Sequence, residues 1–94
     1  MSKKYSLDNL IKAIILIDNE VDCKKLLDDI CTIEEANKMA QRLEAAKLLL
    51  SGYTYEQVIK ETKISSTTLS RVSRCIQYGD GGYKTIIDKL NKNE

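Results

Sequence analysis

Histidine and proline are absent from this 94-residue chain, and each absence closes a class of reading. Without histidine there is no commonest general base and no usual partner for a catalytic serine or cysteine. The three cysteines, Cys23, Cys31 and Cys75, are an odd number with no C-x-x-C spacing. Neither a disulfide framework nor a zinc site is expected, and the thiols read as reduced. With no proline, and with glycine only at 52, 79, 81 and 82, no linker composition exists. The pattern is one of helices broken by a few turns. Strand signals are missing too, since apolar residues recur at three and four rather than alternating. The longest apolar run, AIILI at 13–17, is too short to span a bilayer. The basic start, MSKKYSLDNL, has no small-residue cleavage site after an apolar stretch. A cytoplasmic protein with no membrane partner is expected, and an enzyme is not.

What is present points to an all-α chain. Its length suits one domain over 1–94, small enough that a partner subunit would help to bury apolar surface. Ser6 is placed to cap a first helix running to about Asn19, with Leu7, Leu10, Ile11, Ile14, Ile15, Leu16 and Ile17 as apolar positions. That spread is wider than the single stripe a surface helix needs. Either the helix sits deep in the core or, as the chain length favours, a second chain covers its other side. A shorter helix over roughly 20–31 turns Leu26, Leu27 and Ile30 inward. Thr32 and Glu35 then form a capping box that opens a long helix to about Ser51. Ala36, Met39, Ala40, Leu43, Ala46 and Leu50 line one of its faces, and Gly52 ends it.

The most telling stretch is 54–78, TYEQVIKETKISSTTLSRVSRCIQY. Thr54 with Gln57 is a second capping box, opening a helix through Glu61. The turn is Thr62-Lys63-Ile64-Ser65, with a lysine where glycine is common. Ser65 or Ser66 caps the next helix, which runs to Tyr78 and stops at Gly79. At 100° per residue Leu69, Val72 and Ile76 fall inside, while Thr67, Ser70, Arg71, Arg74 and Tyr78 fall outside. From Lys63 to Tyr78 there are three cations and no acid, so this segment carries +3 of a total of +1 and the rest carries −2. This is the layout of a helix-turn-helix that seats one helix in the major groove of double-stranded DNA. Short hydroxylated residues at its start, Ser65, Ser66, Thr67, Thr68 and Ser70, can approach base edges and phosphates closely, and the helix dipole favours phosphate. Lys63, Arg71 and Arg74 supply charge for guanine edges or phosphate oxygens. The competing reading is a helical dimerisation or interaction module whose polar face meets a protein instead of DNA.

From DICTIEEANKMAQRLEAAKLLLSG (29–52) through TLSRVSRC to IQYGDGGYK the chain resembles the Trp-repressor superfamily, in particular its Trp-repressor-related YerC/YecD-type branch found in Firmicutes. The likeness covers about residues 5–90. It implies an all-helical homodimer of about six helices per chain, with the helices before the helix-turn-helix interlocked between copies. It also implies a repressor of amino-acid-related genes reading a roughly palindromic operator. In tryptophan-responsive members two arginines hold the corepressor's indole, and Arg42 and Arg71 stand at the matching positions. The residue after the second arginine is glycine there and Val72 here, which projects into the space an indole needs. The resemblance therefore implies an amino-acid corepressor other than tryptophan, with histidine a candidate. Basic positions early in the first helix of the motif read Glu56 and Ile59 here, leaving Lys60, Lys63 and Arg74 to grip phosphate.

Other groupings carry less. Asp28-Asp29 and Glu34-Glu35 read as solvated helix surface rather than metal ligands. An ion pair with Glu44 or Asp28 is the plain alternative for Arg42. Cys75 reads as a small half-buried residue on the flank of the second motif helix. Gly79-Asp80-Gly81-Gly82 reads as a turn into a last helix, Tyr83–Leu90, which packs through Ile86, Ile87 and Leu90. The tail NKNE is expected to fray.

Overall fold

The computed structural model describes residues 5–93, so the basic start Met1–Lys4 and the final Glu94 of the tail lie outside the described residues. The chain is all-α: six helices and no strand occur among the described residues. They are α1 (Leu7–Leu16), α2 (Glu20–Ile30), α3 (Ile33–Leu50), α4 (Tyr55–Thr62), α5 (Ser66–Tyr78) and α6 (Gly82–Lys92). The chain divides into two compact units, Met1–Ala36 and Asn37–Glu94.

In the first unit α1 stops at Leu16, short of Asn19. The cause lies in the next helix. Asn19 is the N-cap of α2, its side-chain oxygen accepting from the amide of Asp22 at 2.8 Å. That role needs extended backbone, here φ −150° and ψ 159°, which a helical residue cannot adopt. Ser6 occupies the N-cap position of α1 but makes no side-chain capping bond. Neither α1 nor α2 contains a buried residue. Leu26 is half-buried, but Leu27 and Ile30, expected to face inward, are exposed, as are Ile11, Ile14, Ile15 and Leu16. Two short helices in one copy of the chain do not enclose this much apolar surface. Thr32 and Glu35 form the expected capping box at the start of α3, with bonds of 2.8 and 3.0 Å.

The second unit has a core of its own, built from Ala45, Ala46, Val58, Ile64, Leu69, Val72 and Ile87. Leu43, Leu48, Leu49, Ile59, Ile76 and Tyr83 pack against it. Helix α3 thus buries a broader arc than the expected stripe: Ala45 is fully buried beside Ala46, while Met39 and Leu50 stay exposed. The end of α3 is a Schellman motif, in which the Tyr53 amide bonds the Leu48 carbonyl and the Gly52 amide bonds that of Leu49. Gly52 supplies the left-handed residue this requires, at φ +95°. Of the expected apolar residues of α6, only Ile87 is buried, and Ile86 and Leu90 are exposed. The helix runs on to Lys92, so Asn91 and Lys92 of the tail are helical.

Candidate nucleic-acid interface

Local chemistry positions the helix pair α4–α5. The Thr54 hydroxyl accepts from the Gln57 amide at 3.2 Å while the Gln57 side chain accepts from the Thr54 amide at 2.9 Å. Two orphan donors are satisfied reciprocally, and α4 starts at Tyr55. It ends one residue later than expected, at Thr62. Lys63 then adopts φ 62° and ψ 16°, the left-handed conformation that its place in the turn suggested. For a residue with a Cβ this costs about 1–2 kcal/mol. The cost is met by local bonds: the Lys63 amide donates to the Ile59 carbonyl at 2.8 Å, and the Ile64 amide to the Thr62 hydroxyl at 3.3 Å. Ile64 itself is driven into the core.

Ser65 is the N-cap of α5, its hydroxyl accepting from the Thr68 amide at 3.2 Å and donating to the Thr68 hydroxyl at 2.9 Å. Leu69 and Val72 are buried and Ile76 half-buried, so the inner face is the expected one. Ser73, outside that set, is buried as well. Lys63, Ser66, Thr67, Ser70, Arg71, Arg74 and Tyr78 are exposed. Thr68 departs from the other candidates: it is half-buried, and its hydroxyl is engaged with Ser65. Cys75, expected half-buried, is exposed. The helix ends at Gly79 through a close approach, because a Cβ there would run into the carbonyl oxygen of Cys75.

Two recesses beside α5 are bordered by Arg42. One, of about 210 Å³, is lined by Arg42, Thr68, Arg71, Val72, Cys75 and Tyr83. The other, of about 300 Å³, is lined by Lys38, Gln41, Arg42, Ser65 and Thr68. Arg42 and Thr68 border both, and no carboxylate lines either. Arg42 forms no ion pair among the described residues, and Asp28 is bound instead by Lys24 of its own helix at 2.9 Å. Among the described residues no three of cysteine, aspartate and glutamate gather as metal ligands would. No helix among them is long and apolar enough to cross a membrane.

The model of the family described as Trp repressor protein matches residues 5–91. The chain belongs to the Trp repressor family. It is 40% identical to YerC of Bacillus subtilis (strain 168), a protein itself uncharacterised, over 88 residues that make up 94% of this chain and 85% of that one. A crystal structure of a candidate Trp repressor from Staphylococcus aureus superposes with a TM-score of 0.87 at 40% identity, covering 90% of this chain and 85% of the other. A crystal structure of a TrpR-like protein from Eubacterium eligens ATCC 27750 does so with a TM-score of 0.86 at 33% identity, covering 90% and 88%. The Trp repressor family is one of DNA-binding regulators and not of enzymes. Within this Trp repressor-like frame the geometry brings Arg42 and Arg71 to one recess, with Val72 as part of its wall. Gln41 went unnoticed in the sequence. Its amide donates to the carbonyl of Thr62 at 2.9 Å, a bond between residues 21 apart that no local pattern announces.

Proposed function

We propose that the protein is a dimeric transcription repressor of amino-acid-related genes, acting in the cytoplasm by binding double-stranded operator DNA without catalysis. One observation carries this reading: the exposed face of α5 holds Thr67, Ser70, Arg71 and Arg74 with no acid between Lys63 and Tyr78. Ser66, Thr67 and Ser70 stand ready for base edges and phosphates, Lys63, Arg71 and Arg74 supply the charge, and Ser65 and Thr68 set the start of the helix. Chain 1–94 acts as one DNA-binding domain, completed by a second copy. The exposed apolar residues of α1 and α2 support that dimer, since association is what removes such surface from water.

The recess between Arg42 and Arg71 is the proposed corepressor site. An amino-acid carboxylate fits two guanidinium groups with no competing acid, and Val72 narrows the space for an indole. This favours a side chain smaller than indole, and the family resemblance makes histidine a candidate. A thermal-shift series of free amino acids tests it, because a ligand that binds only the native state raises the melting temperature.

The DNA reading is tested by replacing Arg71 and Arg74 together with alanine. Binding to duplex DNA should weaken and the log–log dependence on salt should flatten, since each lost phosphate contact removes roughly 0.9 from the slope. An unchanged gel-shift titration would remove these residues from the interface. A wild-type protein that binds no duplex even at low salt would instead favour a protein-interaction module.

A further inference from the structure

We propose that Gln41 is a positioning residue for DNA reading: by donating to the carbonyl of Thr62 it holds the turn at Lys63 and so fixes where α5 begins. The inference rests on the DNA-binding reading above. Thr62 is the last residue of α4, and its carbonyl is one of the groups that a helix C-terminus leaves without an intrahelical partner. The side-chain amide of Gln41 fills that vacancy from α3, at 2.9 Å and partly shielded from water.

The other bonds of the turn are local. The Thr62 hydroxyl donates to the Val58 carbonyl at 2.8 Å and accepts from Ile64, and Ser65 caps its own helix. Such bonds shape the turn but do not relate it to α3. Gln41 reaches from 21 residues away and ties the turn to the helix that carries Ala45 and Ala46 of the core. The conformation it restrains is the left-handed one at Lys63, the single positive φ at a non-glycine among the described residues. A sparsely populated backbone state persists only where its surroundings over-determine it. Base-edge contacts from α5 tolerate about 0.5 Å of misplacement, so the restraint acts on specificity before it acts on stability.

The test is a double-mutant cycle of Gln41→Leu and Lys63→Gly, because glycine adopts the left-handed conformation without strain. The probes are a duplex that the wild type enriches from a random pool and the unselected pool itself. Gln41→Leu should weaken binding to the enriched duplex by about five-fold, in the range of one lost neutral hydrogen bond. Binding to the unselected pool, which rests on charge, should change by less than about two-fold. In the Lys63→Gly background the loss on the enriched duplex should shrink to under about two-fold, with the lost lysine charge cancelling across the cycle. Equal losses on both probes, or the same loss in both backgrounds, would overturn the proposal. Amide exchange at Ile64 reads the turn with no DNA present: it should quicken in Gln41→Leu, and an unchanged rate also overturns the proposal. A wild type that enriches no duplex defeats the DNA reading, and exchange at Ile64 then decides alone whether Gln41 holds the turn.

Discussion

The two units of this chain contain comparable helices but solve the burial problem differently. In residues 37–94 each of α3, α4, α5 and α6 contributes at least one buried side chain, and Val58, Leu69 and Val72 come from the helix pair itself. In residues 1–36, α1 and α2 contribute none, although α1 is the more apolar of the two and of all six helices. Apolar content is therefore a poor guide to where the core of a single copy lies. Residues 37–94 have a core of their own within one chain. The amino-terminal helices leave most of their apolar side chains exposed, and the proposed dimer rests on them.

This difference can be broken most sharply at Ile14. Replacing it with aspartate puts a charge into an apolar face that, in a symmetric dimer, is buried twice. Each isoleucine buried is worth about 1.5–3 kcal/mol, before the cost of desolvating the carboxylate. Sedimentation should show monomer, and the melting temperature should lose its dependence on protein concentration. A dimer of unchanged mass would place the interface elsewhere. The matching experiment in the other unit is Leu69→Ala, which empties a fully buried site. A loss of about 2–5 kcal/mol is expected, measured by urea unfolding. Amino-terminal variants should show a cost that varies with protein concentration, because it is a cost of association. If Leu16→Ala and Leu69→Ala respond to concentration alike, the division into two kinds of unit fails.

A smaller effect is expected at the end of α5. Gly79→Ala drives a Cβ against the Cys75 carbonyl, so the last turn of α5 must shift. Overpacking of this kind costs about 1–3 kcal/mol. Because the clash is with backbone, no side-chain rotation relieves it. The amide of Gly79, bonded to Cys75 at 2.9 Å, should lose protection from hydrogen exchange. Retained protection would mean that the helix end yields freely.

How much of this was legible in the sequence follows the range of each interaction. The capping boxes at Thr32–Glu35 and Thr54–Gln57, the Ser65 cap and the strained lysine of the turn were readable because each is settled within four residues. The inner and outer faces of α5 were readable because 100° per residue is a local rule. The end of α1 was misplaced because Asn19 serves the helix that follows it, and periodicity cannot see which of two helices a polar residue will cap. Ala45 was missed because a single stripe was assumed on a helix that buries a broad arc. The bond between the Thr68 and Ser65 hydroxyls, within one turn of the helix start, is not signalled by the cap pattern itself. Gln41 was invisible, since nothing near residue 41 signals a carbonyl 21 positions away. The inward placement of Leu27 and Ile30 was assigned on hydrophobicity alone, and one copy of the chain leaves both exposed.

The smallest expected effect lies near the end of the first unit, where the Thr32–Glu35 box opens α3. Bonds from the Thr32 amide and hydroxyl hold the Glu35 carboxyl below the usual carboxylate range, with desolvation a minor opposing influence. The sign follows from linkage. A carboxyl whose folded value is depressed stabilises the fold fully above its unfolded value, and that stabilisation is lost as pH falls through the folded one. An NMR titration of the Glu35 carboxyl should therefore place its midpoint below that of the unfolded chain. Thr32→Ala should return it toward the ordinary value by removing the hydroxyl partner, while leaving the Thr32 amide's own donation in place. Because Glu35 is fully exposed, solvent screens the effect, and the global melt of Thr32→Ala should move far less than that of Leu69→Ala. A midpoint unmoved by Thr32→Ala would show that the hydroxyl plays no part in holding the carboxylate, whose depressed value would then rest on the Thr32 amide alone.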